Sequence, residues 1–423
     1  MRPFDRQRVL LGVTGGIASY KSAWLARLLT QAGAEVDVIM TRSATEFVGP
    51  VTFEALTGRP VHTALIAQGH ALDHIKLARA AALLVVAPAT AELLARAAGA
   101  HADDLLAASL LAATCPVLIV PAMNDRMWAH AGVRRNVETL RAIGYTVLDP
   151  DDGPLAVGEG SGAGRMPEPD TIMSHIARLL SPPATLHGRR VVVTAGPTRE
   201  AIDPVRFLSN RSSGRMGVEI AASAWRRGAH VTLVAGPLEV PVPTGLHTRH
   251  VETTAQMRDA VCDALRECDV LVMAAAPADF TVGHPATRKL KKVNGPDSIA
   301  LERTDDILGV TRARRAAGII SVGFALETGD VGAEARRKLA DKALDFIVAN
   351  DALEPGAGFA VETNRVTIFG ADGSEDVLPL QSKRDVADAI LDRVEALLQR
   401  AAARVAVTTS DNATLAEDGE HGR

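Results

Sequence analysis

Short continuous apolar runs alternate with stretches of helical spacing along nearly the whole chain. Val9–Val13 is a run of strand length, and Thr14-Gly15-Gly16-Ile17-Ala18-Ser19 breaks it with a tight turn. Trp24, Leu25, Leu28 and Leu29 then recur at helical spacing, and the stretch from Gly33 to Met40 returns to a strand. The same order recurs with a strand at Val191–Thr194, a helix through Ile220 and Trp225, and a strand in the segment from Gly228 to Val234. Further strands are predicted at Leu83–Val86, Val117–Val120 and Val270–Met273. β-Branched runs of this length suit strands covered on both faces of a parallel sheet. Two βαβ openings this alike predict an α/β protein with two Rossmann-like parallel-sheet domains.

The boundary between them is marked by Ser181-Pro182-Pro183-Ala184-Thr185-Leu186-His187-Gly188, since paired prolines stiffen and extend a chain. That makes residues 1–180 one domain, 181–188 a linker and 189–400 a second domain. The uncharged stretch Leu105–Met123 approaches the length of a bilayer span, but Pro116 and Pro121 divide it into a helix and a short strand. Glu362–Phe369 alternates polar and apolar residues as a half-buried strand does, and a helix from Lys383 to Arg400 closes the fold. Residues 401–423, polar and without periodicity from Thr408 onward, are expected to be a disordered tail.

Composition narrows the class. The chain has 423 residues, 47% hydrophobic but only 3% aromatic, so Ala, Leu and Val fill cores large enough for two domains. A net charge of −4 argues against a general nucleic-acid or membrane-surface role. Cys115, Cys262 and Cys268 are odd in number and lack metal-type spacing, which points to a reducing compartment. The N-terminal MRPFDRQRVLLGV has no apolar core of signal-peptide length, so a cytoplasmic protein is expected.

Candidate chemistry gathers where strands end. Gly15-Gly16 falls short of GxGxxG, which counts against a nicotinamide dehydrogenase, yet it opens a helix whose free N–H groups favour a phosphate. Thr41-Arg42-Ser43 and Ala87-Pro88-Ala89-Thr90-Ala91 also end strands, where ligands of open α/β sheets bind. In the second domain Arg199, Arg206, Asn210, Arg211, Ser212, Ser213 and Gly214 form a donor-rich loop before a helix opening at Arg215, a cradle for phosphate or carboxylate. Ala274-Ala275-Ala276 are small enough for a nucleotide to lie close to the backbone. The run Arg288-Lys289-Leu290-Lys291-Lys292 lacks interleaved aromatics and so suits a triphosphate better than nucleic acid. Lys338 and Lys342, at i and i+4, would project from one helix face.

The string Asp203-Pro204-Val205-Arg206 followed by Ser209-Asn210-Arg211-Ser212-Ser213-Gly214-Arg215-Met216-Gly217 resembles the signature of phosphopantothenate–cysteine ligase. In bacteria that ligase is commonly fused behind a flavin-dependent decarboxylase. The resemblance implies CTP as co-substrate with magnesium, transfer of CMP to the phosphopantothenate carboxylate, and attack by the cysteine amine on the acyl-cytidylate. It assigns Arg206 and Asn210 to that intermediate and Lys289 to the transferring phosphate. Ala274, Ala275, Ala276, Asp279, Asp306, Ile307, Leu308, Phe324, Lys338 and Lys342 are implied to bind CTP.

In the first domain Gly15-Gly16-Ile17 and Pro121-Ala122-Met123-Asn124-Asp125-Arg126-Met127-Trp128 are similar to the FMN-dependent cysteine decarboxylases. The similarity implies that Gly15, Gly16, Ile17, Ser43, Thr90, Ser109 and Met123 line the flavin, that Met123 and Asn124 meet the substrate, and that His74 is the active-site histidine. In that family the flavin oxidises the cysteinyl thiol to a thioaldehyde, an electron sink that lets CO2 leave. A flap cysteine then protonates the enethiolate. Here the flap is Gly153–Met166, with Arg165 and Met166 at its end, and Val157 stands where the cysteine is expected. Valine donates no proton, so Glu159 is the candidate donor. The alternative is a ligase whose flavin-binding half is only structural. The resemblance further implies a homo-oligomer joined by trimeric decarboxylase and dimeric ligase contacts, acting on small molecules without a nucleic-acid or membrane partner.

Overall fold

The structure, a computed structural model, describes residues 4–66, 72–181, 185–291, 298–354, 356, 358 and 361–418, with side chains to 403. It divides into two compact units, Met1–Pro182 and Pro183–Arg423.

The first unit runs β1 (Arg8–Val13), α1 (Ser19–Gln31), β2 (Glu35–Met40), α2 (Pro50–Thr57), β3 (Val61–His62), α3 (Asp73–Ala80), β4 (Leu83–Ala89), α4 (Ala91–Ala98), α5 (Leu105–Ala112), β5 (Val117–Pro121), α6 (Asp125–Ala129), α7 (Ala131–Ala142) and β6 (Thr146–Val147). A hairpin of β7 (Asp151–Pro154) and β8 (Ser161–Arg165) precedes α8 (Pro169–Leu180). Six parallel strands pair in the order β3-β2-β1-β4-β5-β6. The period of two sends Val9, Leu11 and Val13 into one core layer and Leu10 into the other, so β1 is covered on both faces. Leu25 and Leu29 of α1 are fully buried, whereas Trp24 stays half exposed.

The second unit runs β9 (Arg190–Ala195), β10 (Arg199–Ala201), β11 (Phe207–Ser209), α9 (Arg215–Arg226), β12 (His230–Ala235), β13 (His247–His250), α10 (Thr254–Ala264), β14 (Val270–Met273), β15 (Phe280–Val282), β16 (Leu301–Arg303), α11 (Ile307–Arg312), β17 (Ile320–Glu327), α12 (Val331–Asp341) and β18 (Phe346–Asp351). It ends with β19 (Thr363–Asn364), β20 (Thr367–Gly370), β21 (Glu375–Val377), β22 (Gln381–Ser382) and α13 (Lys383–Asp418). The main sheet has the order β13-β12-β9-β14-β17-β18-β20-β21, with β20 and β21 antiparallel at one edge. Val191 and Val193 face α9 and α13 while Val192 faces the layer of α10, the same two-sided burial as in β1.

Three expectations differ. The strand expected over Glu362–Phe369 is broken into β19 and β20, which pair in different sheets. Lys342 caps the C-terminus of α12 instead of lying within the helix. The backbone of α13 continues helical through Asp418, into the stretch expected to be a structureless tail. Of the expected linker, residues 182–184 lie outside the described residues, as does Lys292 of the basic run. Cys115, Cys262 and Cys268 are free thiols, and among the described residues no helix is long and apolar enough to cross a membrane.

Candidate active sites

Each sheet reverses its strand order beside its first strand, between β1 and β4 and between β9 and β14, and the loops leaving those strands build the two candidate sites. In the first unit Thr14 ties the two loops together: its hydroxyl donates to the Pro88 carbonyl (2.8 Å) and accepts from the Thr90 amide (3.1 Å). Thr90 in turn caps α4. The single Ser19 hydroxyl hydrogen is shared between the carbonyls of Gly16 (2.6 Å) and Thr14 (3.0 Å), which holds the glycine turn. Gly15 admits no side chain, since a Cβ there would come within 2.4 Å of Ser43, while Gly16 faces open space. Ser43 borders a cavity of about 500 Å³ with Thr41, Arg42, Arg96 and Asp104.

Asn124 caps α6 by accepting from the Arg126 amide (2.9 Å), and the Met123 amide donates to the Gly164 carbonyl (3.0 Å). The Met123–Asn124 loop is therefore sealed against β8. Lys21 of α1, almost wholly buried, donates to the Met166 carbonyl (2.9 Å) and pairs with Glu168 (2.8 Å), so the hairpin stem is tied to the helix that follows the glycine turn. Val157 and Glu159 stand exposed at the hairpin tip. Arg165 pairs with Glu168, and Met166, at the end of the expected flap, is buried in the core. His74 lies in the first turn of α3, and its Nδ1 is buried without a hydrogen-bond partner. Ser109 is fully buried, its hydroxyl spent on the Leu105 carbonyl (2.7 Å), so the structure does not bring it to the cavity wall.

A glycine turn open to close backbone approach, beside a cavity bordered by Ser43, Thr41 and Arg42, fits the phosphate end of a flavin.

In the second unit Thr194, Gly196 and Thr198 hold the loop after β14: the Ala275 amide donates to the Thr194 hydroxyl (3.0 Å), the Ala276 amide to the Gly196 carbonyl (2.9 Å) and the Ala278 amide to the Thr198 hydroxyl (2.9 Å). Asn210 joins from the other side, its amide nitrogen donating to the carbonyls of Ala276 (3.1 Å) and Pro277 (3.0 Å). Gly214, at φ +80°, turns the chain into α9, a conformation that side chains rarely adopt.

Two cavities meet here and share Ala275, Pro277, Asp279 and Phe324. One of about 550 Å³ is bounded by Asp306, Ile307 and Leu308, and one of about 320 Å³ by Asn210, Ser213, Arg215, Lys338 and Lys383. Ala274 and Ala276 line the second. The fold thus brings together most of the residues expected to bind nucleotide. Lys338 and Lys342 are already paired, with Glu327 (2.5 Å) and Asp306 respectively, so a triphosphate would have to exchange with those carboxylates. Arg206 and Lys289 line neither cavity.

Sequence reading missed Asn350, Asn364 and Lys383, three buried polar side chains in the wall of the smaller cavity. Lys383 donates to the Gly358 carbonyl (2.8 Å), and the Gly358 amide to Asn364 (3.4 Å). Burial, then the nearby Arg215, pushes the Lys383 ammonium down to about 8. A lysine opening an amphipathic helix looks like any surface lysine, so no local signal could have marked it. Asn364 is buried at this wall. Among the described residues no group of three His, Cys, Asp or Glu side chains could hold a metal.

The fold and sites define a two-domain flavoprotein. Residues 2–181 match the Flavoprotein family model, and residues 186–398 match the DNA/pantothenate metabolism flavoprotein C-terminal domain. The coenzyme A biosynthesis bifunctional protein CoaBC of Mycobacterium tuberculosis (strain ATCC 25618 / H37Rv) is 48% identical over 408 residues, covering 93% of this chain and 97% of that protein. The protein of the same name from Bacillus subtilis (strain 168) is 45% identical over 407 residues, covering 95% and 99%. A crystal structure of the C-terminal domain of a CoaBC covers 51% of this chain and 98% of that chain, at 39% identity and a TM-score of 0.44. The chain belongs to the bifunctional coenzyme A biosynthesis proteins, which unite a decarboxylase with a phosphopantothenate–cysteine ligase.

Proposed function

We propose that the second unit uses CTP to join cysteine to phosphopantothenate through an acyl-cytidylate, and that the first unit decarboxylates the product to phosphopantetheine with FMN. The observation that carries the ligase reading is the pair of cavities sharing one wall, with Asn210 bridging to that wall. The larger would take the nucleotide against Asp306–Leu308. The smaller, with the cations Arg215, Lys338 and Lys383, would take the anionic acid. The α-phosphate and the carboxylate would then meet beside Ala275, Asp279 and Phe324, an arrangement that converts a bimolecular encounter into a positioned one. Lys289 would neutralise charge on the transferring phosphate. Magnesium would arrive with the triphosphate, held by its phosphate oxygens.

Lys383 makes this reading dependent on pH. As pH rises through about 8 its ammonium loses the proton, and the acid pocket loses a positive charge. The KM for phosphopantothenate is expected to rise up to about tenfold between pH 7 and 9, following the charged fraction. Lys383→Arg, which stays charged throughout, should flatten that profile. A KM unchanged across this range would remove Lys383 from substrate binding.

In the first unit Gly15, Gly16, Ile17, Ser43, Thr90 and Met123 would hold FMN, and Asn124 and His74 would hold the substrate. When bound, the flavin would take a hydride equivalent from the cysteinyl group so that CO2 can leave, and would return it, with a proton, to the resulting enethiolate, which keeps the decarboxylation redox-neutral. The hairpin then closes over the site and excludes water. Since Val157 carries no proton, Glu159 at the same tip delivers it. Glu159→Gln is expected to slow release of phosphopantetheine about 10²-fold, and Val157→Cys in that background to restore it. Undiminished turnover in Glu159→Gln would place the donor elsewhere.

Ile17, Tyr20 and Trp24 expose an apolar face at helical spacing beside the glycine turn, which supports a homo-oligomer. Cytoplasmic location completes the reading. Its test is one incubation of the flavin-loaded protein with phosphopantothenate, cysteine, CTP and magnesium, read by mass spectrometry. Phosphopantetheine is expected, whereas phosphopantothenoylcysteine accumulating alone would reduce the first unit to a scaffold.

A further inference from the structure

Asp203 has a completely buried side chain in the tip between β10 and β11, yet it touches neither cavity. Its carboxylate accepts five hydrogen bonds. Oδ1 takes the amides of Val205 (2.8 Å) and Arg206 (2.9 Å). Oδ2 takes Nε (3.0 Å) and Nη2 (2.5 Å) of Arg206 and the Leu290 amide (3.1 Å). Arg206 closes the ring, because its Nη2 also donates to the Leu290 carbonyl (2.9 Å). Both backbone groups of Leu290 are thus gripped by one carboxylate–guanidinium pair. A second fastening lies four residues earlier, where the Ala286 amide donates to the Ile202 carbonyl (2.9 Å). The Arg206 hydrogen bonds, then the three amides, hold the Asp203 carboxyl far below the usual carboxylate range, so its charge persists wherever the enzyme is assayed.

We propose that Asp203 is a positioning residue of the ligase reaction: with Arg206 it clamps Leu290 and thereby sets where the adjoining Lys289 stands during cytidylyl transfer. Arg206 on this view acts through Leu290, with its guanidinium committed to the clamp rather than to the acyl-cytidylate. The ion pair is only half buried on the arginine side, but its worth is geometric. The bonds from the Leu290 amide to Asp203 and from Arg206 to the Leu290 carbonyl fix a loop segment whose exposed lysine would otherwise sample many positions, and a misplacement of ~1 Å at a charge-stabilising group costs about 10²-fold in rate. The inference rests on the reading of Lys289 as the phosphate-neutralising residue.

The test uses the full chain, Asp203→Asn, and two readouts of the ligase unit. Asparagine can still accept from Val205 and Arg206 at Oδ1, but its Nδ2 would face three donors, so the grip on Arg206 and Leu290 is lost. Pyrophosphate release from CTP and phosphopantothenate without cysteine should fall about 10²-fold, and trypsin should cut at Arg288, Lys289 or Lys291 several-fold faster. Decarboxylation of supplied phosphopantothenoylcysteine, which belongs to the other unit, should not change. Lys289→Gln run in parallel separates the two ideas: it should lose pyrophosphate release while cleavage at Arg288 and Lys291 keeps its wild-type rate. Undiminished pyrophosphate release in Lys289→Gln would sink the reading of that lysine, whereas an unchanged cleavage rate or unchanged pyrophosphate release in Asp203→Asn would sink the clamp. Should Asp203→Asn lose the ligase unit's unfolding transition, Arg206→Lys decides by the same two readouts, because it keeps the positive charge beside Asp203 while removing the Nε and Nη2 donors that close the grip on Leu290.

Discussion

Gly164→Ala is expected to slow decarboxylation about 10²-fold or more while ligation proceeds at its normal rate. Gly164 is buried where β8 lies on the Met123–Asn124 loop, and a Cβ there would fall 2.2 Å from the Met123 carbonyl oxygen. That atom is backbone and cannot rotate away. The hairpin and the loop must therefore separate, which breaks the Met123 amide to Gly164 carbonyl bond and shifts both Asn124 and the tip bearing Glu159. Overpacking of this kind costs about 1–3 kcal/mol, too little to unfold a domain of this size. The displacement of a substrate-contacting side chain should nevertheless lower the decarboxylation rate about 10²-fold or more. Assaying each half-reaction on the same preparation checks it, and a Gly164→Ala protein that still makes phosphopantetheine at the normal rate would show that hairpin seating does not matter.

Asn210→Asp should block the ligase between its two chemical steps. The Asn210 amide nitrogen donates to the carbonyls of Ala276 and Pro277, and an aspartate would turn an acceptor toward both. Two carbonyls facing a carboxylate lose their donor, and the Ala276 edge of the smaller cavity loosens, while Ala275 keeps its own bond to Thr194. The nucleotide side, bounded by Asp306, Ile307 and Leu308, keeps its own supports, among them the Asp306 cap of α11. Acyl-cytidylate should therefore form and accumulate, with amide product reduced about 10²-fold, roughly the 2.7 kcal/mol carried by one well-placed donor. Mass spectrometry of the quenched reaction distinguishes this from simple loss of binding. Absence of both intermediate and product would mean that Asn210 supports the first step as well.

Much of the architecture could be read without coordinates because strand burial leaves a one-dimensional trace. Val9–Val13 and Val191–Thr194 are apolar at consecutive positions only because both faces of each strand are covered. The loops after those strands were equally legible, because glycine marks them: Gly214 turns left-handed, a local requirement, whereas the reason for Gly15, the close approach of Ser43, shows only in the fold. The helix pair Lys338 and Lys342 shows the limit of such reasoning. Spacing places them near one another, but whether they face phosphates or the carboxylates of Glu327 and Asp306 depends on residues far away in the chain.

What the sequence by itself determined, then, is the order of strands and helices, the left-handed turn at Gly214 and the motifs that carry the family. These depend on neighbours within a few residues, and the information stays local. Only the tertiary structure decided that Ser109 is sealed in a core, that Lys383 and Asn364 reach a cavity, and that Asp203 and Arg206 grip Leu290 across more than eighty positions of chain. Each of those outcomes is a distance between segments that chain folding brings together, and a buried charge looks in sequence like an exposed one until its partners are known.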